Sequence, residues 1–110
     1  MRKILLMLVL SILLPPLYFS TDVVVTAYTP SVIECGKTDA VTASGVVAEE
    51  GVTIASDSLP FGTKVEIDGN VYEVQDRFGG GHVGKIDIFM WDLSEALNFG
   101  TQVKTVKVYY

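Results

Sequence analysis

The chain has 110 residues, a formal net charge of −5 and a single cysteine. An acidic balance of this kind repels phosphate backbones and excludes nucleic acid as a natural partner, and one cysteine, Cys35, excludes an internal disulfide. With the apolar N-terminal run set aside, ~90 residues are left, enough for one domain with a small core.

The first segment has the layout of an export signal. Arg2 and Lys3 precede the apolar run Ile4–Leu14, which is shorter than the ~20 residues of a membrane span. Pro15 and Pro16 then end any helix. Tyr18-Phe19-Ser20 is a poor cleavage site, because a large ring stands where a small residue is wanted. Residues 1–20 are therefore read as a signal peptide or a retained N-terminal anchor, and residues 22–110 as an exported domain, secreted or held in the envelope. Membrane contact is expected only through the N-terminal segment, if it is kept.

The exported region reads as all-β with one short helix. Val23–Tyr28 is rich in β-branched residues and stops before Pro30. Residues 31–41 have weak periodicity and read as a loop. Gly51–Ala55 is a short apolar run ahead of Asp57, and Leu59-Pro60-Phe61-Gly62 is turn chemistry. Thr63–Ile67 and Val71–Val74 alternate polar and apolar residues around Asp68-Gly69-Asn70, a strong hairpin signal. After the glycine-rich Gly79–Gly84 loop, Ile86–Met90 is strand-like, and Ser94–Phe99 is a short helix ended by Gly100. Val103–Tyr109 alternates as a last strand. Six short strands in a domain of this size predict a closed barrel, because closure removes exposed edges.

Three aspartates carry the chemistry: Asp57, Asp76 and Asp87. Each stands at or within a short apolar run, where a strand holds a side chain rigidly yet open to a ligand. Together they predict one acidic cleft and acid–base work. Singly, Asp57 and Asp76 also read as turn caps and Asp87 as a solvated strand residue. Asp87 resists that reading, because Ile86, Ile88, Phe89 and Met90 surround it. Two carboxylates facing one cleft raise the pKa of one of them, and a carboxyl group raised in this way can act as a general acid near neutral pH. Asp68 and Asp92 read as ordinary turn acids.

Gly79-x-x-x-x-Gly84-Lys85 fits most of a phosphate-binding loop, but Ile86 stands where Ser or Thr would hold magnesium, and a strand follows rather than a helix. His82, the one histidine, reads as a solvated loop side chain or a substrate contact. No calcium-loop spacing is present, so no metal is expected.

The runs Val25-Thr26-Ala27-Tyr28-Thr29-Pro30, Thr42-Ala43-Ser44-Gly45, Ile54–Val65, Asp76 with its glycine loop, and Gly84–Phe89 succeed one another in an order that resembles the three-aspartate (3D) domain. The resemblance covers nearly all of residues 24–109, including Glu95–Gly100. It implies a six-stranded double-psi β-barrel, related to the catalytic barrel of a membrane-bound lytic transglycosylase and to stationary-phase survival type proteins. It implies cleavage of the β-1,4 bond between N-acetylmuramic acid and N-acetylglucosamine in peptidoglycan, without water or cofactor, leaving a 1,6-anhydro sugar. By this match Asp87 is the acid and then the base, Asp76 tunes it and binds sugar hydroxyls, and Asp57 lines the cleft. Tyr28, Thr42 and Ser44 would contact sugar or orient the acids, with a structural hydrogen bond the alternative for Thr42 and Ser44. The chain differs from the family pattern at Phe78, where glycine is usual, at His82 and Val83, and in the absence of a basic residue in Val46–Glu50. A non-catalytic glycan-binding or wall-loosening barrel is the rival expectation. A partner-binding envelope protein whose aspartates only cap turns is a third.

Overall fold

The computed structural model describes residues 17–30 and 40–110. The apolar run Ile4–Leu14, Cys35 and most of the expected 31–41 loop lie outside the described residues. Six strands and one helix follow in order: β1 (Tyr18–Tyr28), β2 (Thr53–Ala55), β3 (Lys64–Ile67), β4 (Asn70–Asp76), β5 (Lys85–Phe89), α1 (Leu93–Phe99) and β6 (Gln102–Tyr109). They close into a barrel in the order β1-β5-β2-β4-β3-β6, with β6 returning to β1. The pairs β1–β5 and β2–β4 are parallel, and the others are antiparallel.

The period-two pattern puts one face of every strand inside. Val23, Val25, Ile54, Val65, Ile67, Val74, Ile86, Ile88, Val106 and Val108 fill the barrel. Burying each such side chain stabilises the fold by about 1.5–3 kcal/mol before entropy is set against it. Branched side chains suit this interior because a pleated wall already restricts χ1.

Local signals account for most turns. Asp68 and Gly69 both take positive φ, 50° and 81°, and Ile67 pairs with Asn70 across them. That is a two-residue hairpin loop whose twist matches its strands. The Asp92 carboxylate caps α1 by accepting from the Ser94 N–H at 2.9 Å, so Ser94 opens the first turn. Gly100 ends the helix at φ 64°, its N–H donating to the Ala96 carbonyl.

Two strands are longer than their sequence pattern. β4 runs on to Asp76, past the last alternating residue Val74. β1 begins at Tyr18 rather than Val23, and Tyr18, Phe19 and Ser20 pair with Tyr109, Val108 and Lys107. These three residues belong to the segment read as leader or anchor, and a cut after Ser20 would remove three rungs of the β1–β6 ladder. Tyr18 and Tyr109 explain why the ladder extends so far: their ring centroids are 5.5 Å apart across the pair.

Candidate functional site

Strand register brings two of the three aspartates to one level of the barrel wall. Thr26 on β1 lies opposite Asp87 on β5, Asp87 lies opposite Ala55 on β2, and Ala55 lies opposite Asp76 on β4. The β2–β4 register shifts between Ile54 and Ala55, and this irregularity sets Asp76 beside Ala55. With neighbouring strands about 4.8 Å apart, the two acidic residues stand roughly 10 Å apart along the row. Between them is only a methyl group, buried at 3 % exposure.

Tyr28 joins the two acids. Its hydroxyl donates to Asp76 Oδ2 at 2.8 Å. Its pKa is pushed well above the usual phenol range by burial first, then by this hydrogen bond, then by the negative charges of Asp76 and Asp87. One phenol therefore feels both carboxylates. Asp76 Oδ1 accepts from the backbone N–H groups of Ala43 and Arg77, each at 2.9 Å. On the other side, the Thr26 hydroxyl donates to Asp87 Oδ1 at 2.9 Å.

The Thr42–Gly45 turn sits over the end of β4. Its backbone is closed by Thr42 N–H to Val46 O and Gly45 N–H to Thr42 O, with Gly45 at φ 94°. Ser44 N–H donates to the Gln75 carbonyl, which docks the turn on the strand and aims the Ala43 N–H at Asp76. The Thr42 hydroxyl donates to the Val46 carbonyl at 2.8 Å. It has one proton, so the 3.0 Å contact between Thr42 Oγ1 and Ser44 Oγ takes its proton from Ser44. Both hydroxyls are turned into the loop itself.

Asp57 has a different setting. Oδ1 accepts from the Phe78 and Gly79 N–H groups at 2.8 and 3.1 Å, and Oδ2 from the His82 N–H at 2.9 Å and its ring Nδ1 at 3.2 Å. The side chain is 5 % exposed. These donors, the His82 backbone N–H foremost, hold its pKa down at about 2 against partial desolvation. Gly79, Gly80 and Gly81 all have positive φ, which lets the loop curl round one carboxylate. His82 is thus a fastener of this loop as well as a half-exposed side chain, with its ring against Phe78 at 5.4 Å. The successive N–H groups of Arg77 and Phe78 go to Asp76 and Asp57 respectively, so these two carboxylates flank a single peptide step.

Arg77, Thr26 and Trp91 join the site without having been singled out as candidates. The Arg77 guanidinium donates to the Ser56 carbonyl at 2.8 Å and lies 3.8 Å over the Phe61 ring. It is the one arginine beyond Arg2, and its place directly after Asp76 is the signal that would have found it. Thr26 is the polar residue amid Val23-Val24-Val25 and Ala27. Tyr28, Phe89 and Trp91 form an edge-to-face ladder with centroid separations of 5.6 and 5.0 Å, running from the half-buried phenol through the buried Phe89 ring to a half-exposed indole. Among the described residues, no group of three His, Cys, Asp or Glu side chains is arranged to hold a metal ion. No protein-family model matches the chain, and no curated protein matches it.

Proposed function

We propose that this chain is a three-aspartate-type double-psi β-barrel that cuts exported peptidoglycan strands as a lytic transglycosylase. The observation that carries the reading is the pair Asp76 and Asp87, set on either side of Ala55 and both acting on Tyr28. The two parallel strand pairs within a closed six-stranded barrel support the double-psi assignment.

In this mechanism the protonated Asp87 carboxyl gives its proton to the glycosidic oxygen as the bond to C1 breaks. The resulting carboxylate then takes the proton of the muramic C6 hydroxyl while that oxygen bonds to C1. No water enters, and the acid ends in the state in which it began. Two carboxylates ordinarily share such work in glycosidases; here the substrate's own hydroxyl supplies the nucleophile. Asp76, fixed by three donors, supplies a steady negative charge for the positive charge that develops at C1. Thr26 and Tyr28 orient the two acids, and the half-exposed Trp91 indole is a flat apolar face on which a sugar ring can lie.

The same aromatic ladder also favours a second reading, a barrel that binds glycan without cutting it. One experiment separates the two: the full chain is incubated with purified peptidoglycan and the soluble products are analysed by mass spectrometry. Muropeptides ending in 1,6-anhydro-muramic acid are expected. Pelleting with the wall but no such product selects the second reading, and neither binding nor product contradicts both.

A further inference from the structure

The end of the barrel where β1 starts carries an apolar surface away from the Asp76–Asp87 pair, which it meets where Arg77 lies over one face of Phe61. Tyr110 N–H donates to the Leu17 carbonyl at 3.1 Å, which continues the β1–β6 ladder past Tyr18 and Tyr109. Phe19 and Tyr110 pack with ring centroids 5.6 Å apart. Phe61, from the turn before β3, faces them across a groove of about 510 Å³ that Phe19, Pro60, Lys64, Tyr109 and Tyr110 help to line. A second groove of about 200 Å³ shares Phe19, Leu59 and Val108 and continues to Val83 and Lys85. Leu17, Phe19, Phe61, Val83 and Tyr110 are all exposed there, Tyr110 at 86 % and Val83 at 82 %. So many large apolar side chains gathered at one end of a small domain mark a surface that meets something.

Two observations say what it meets. In a chain of net charge −5, the described residues lining both grooves include Lys64 and Lys85 and no carboxylate. Lys107 stands beside them, its ammonium 5.1 Å from the Tyr18 ring centroid. Lys64 and Lys107 form ion pairs with Glu73 and Glu66, which stand directly opposite them on the neighbouring strands, so Lys85 is the lysine of the grooves with no carboxylate across from it. Then there is the sequence that leads into the patch. Only Pro15 and Pro16 separate Leu17 from the apolar run Ile4–Leu14, and two residues reach at most ~7 Å. The sequence thus enters this end of the barrel directly from an apolar run.

The geometry points to a lipid bilayer surface as the occupant. The Leu17–Phe19, Phe61 and Tyr109–Tyr110 end rests at headgroup level on this surface, with Lys85 toward anionic lipid. Tyrosine suits this level because its ring is apolar and its hydroxyl is wet. An exposed apolar face with a lysine at its edge suits burial part-way into such an interface. Docking does not depend on the glycan chemistry of the other site.

The test uses the full chain in a Trp91→Phe background with one reporter at a time. Tyr110→Trp puts an indole in the patch, and Leu97→Trp puts one on the exposed face of α1, which leads into the start of β6 and so lies at the far end of that strand from Tyr109. Each is mixed with phosphatidylcholine–phosphatidylglycerol vesicles that carry brominated acyl chains. The expected result is a blue shift and several-fold quenching for Tyr110→Trp and no change for Leu97→Trp. Co-sedimentation with vesicles while both reporters stay unquenched would mean tethering without docking and overturns the proposal. A Tyr110→Trp shift that needs only higher protein concentration assigns the patch to a second copy. A shift produced by muropeptides instead of vesicles assigns it to glycan. Either result overturns the proposal too.

Discussion

Asp57 and Asp76 are both carboxylates at strand ends, yet their partners divide their work. Asp57 is spent on the backbone of the 78–82 loop and on His82, while Asp76 shares Tyr28 with Asp87. A carboxylate whose folded pKa is lowered, here from 3.8 to about 2, stabilises the fold above pH 3.8 and loses that contribution as pH falls through about 2. Thermal melts of the native chain and Asp57→Asn should therefore differ most at pH 5, with the native chain the more stable, and converge toward pH 2. A gap that widens on acidification would contradict this role. Trp91→Ala should raise the KM for glycan strands several-fold and leave kcat within a factor of two, since uniform binding is what a stacking face supplies. The strand positions of Asp76 and Asp87 were legible because each follows or lies within a β-like run, Val71–Val74 and Ile86–Met90. The donors that distinguish Asp57 were not, because they are main-chain N–H groups made available by three successive glycine turns, and no side-chain pattern announces them.

Each strand was legible for a local reason and the barrel's order was not. Alternating Val and Ile residues such as Val106 and Val108 repeat at the strand period, and Asp68-Gly69 fits only a tight hairpin. The pairing of β1 with β5, far apart in the chain, depends instead on closure of the whole wall, and so does the register that sets Thr26 against Asp87. Early pairing of Tyr18–Ser20 with β6 was hidden because their sequence reads as the tail of a leader. β2 is the element on which the site depends most. It is three residues long, fully buried, and carries Ala55 between the acids. Ile54→Ala should cost about 2–5 kcal/mol in denaturant unfolding by opening a cavity in the core. The Asp92→Ala change, which removes the α1 cap, should cost only about 1 kcal/mol. A smaller loss for Ile54→Ala than for Asp92→Ala would show that the barrel interior is not the main source of stability.

Closure of the barrel brings Asp76 and Asp87 to one level of the wall, and the Arg77–Phe78 step links Asp76 to Asp57. β2 and β4 present Asp57 and Asp76 on either side of the Arg77–Phe78 step, and β5 adds Asp87 through the Tyr28 phenol. The aromatic end near Leu17 lies at the start of β1, while the acid pair lies farther along the same strand beside Thr26. A surface for docking and a surface for chemistry can thus be served by one continuous β1. Proton exchange between Asp87 and the sugar is the central step proposed, and the release of anhydro-muropeptides by Asp87→Asn and by the native chain, each with its melting curve, measures it directly. The product rate should be lower by about 10²–10⁴-fold for Asp87→Asn, the usual worth of a general acid–base group, with the melting temperature unchanged. Equal rates from the two proteins would contradict it.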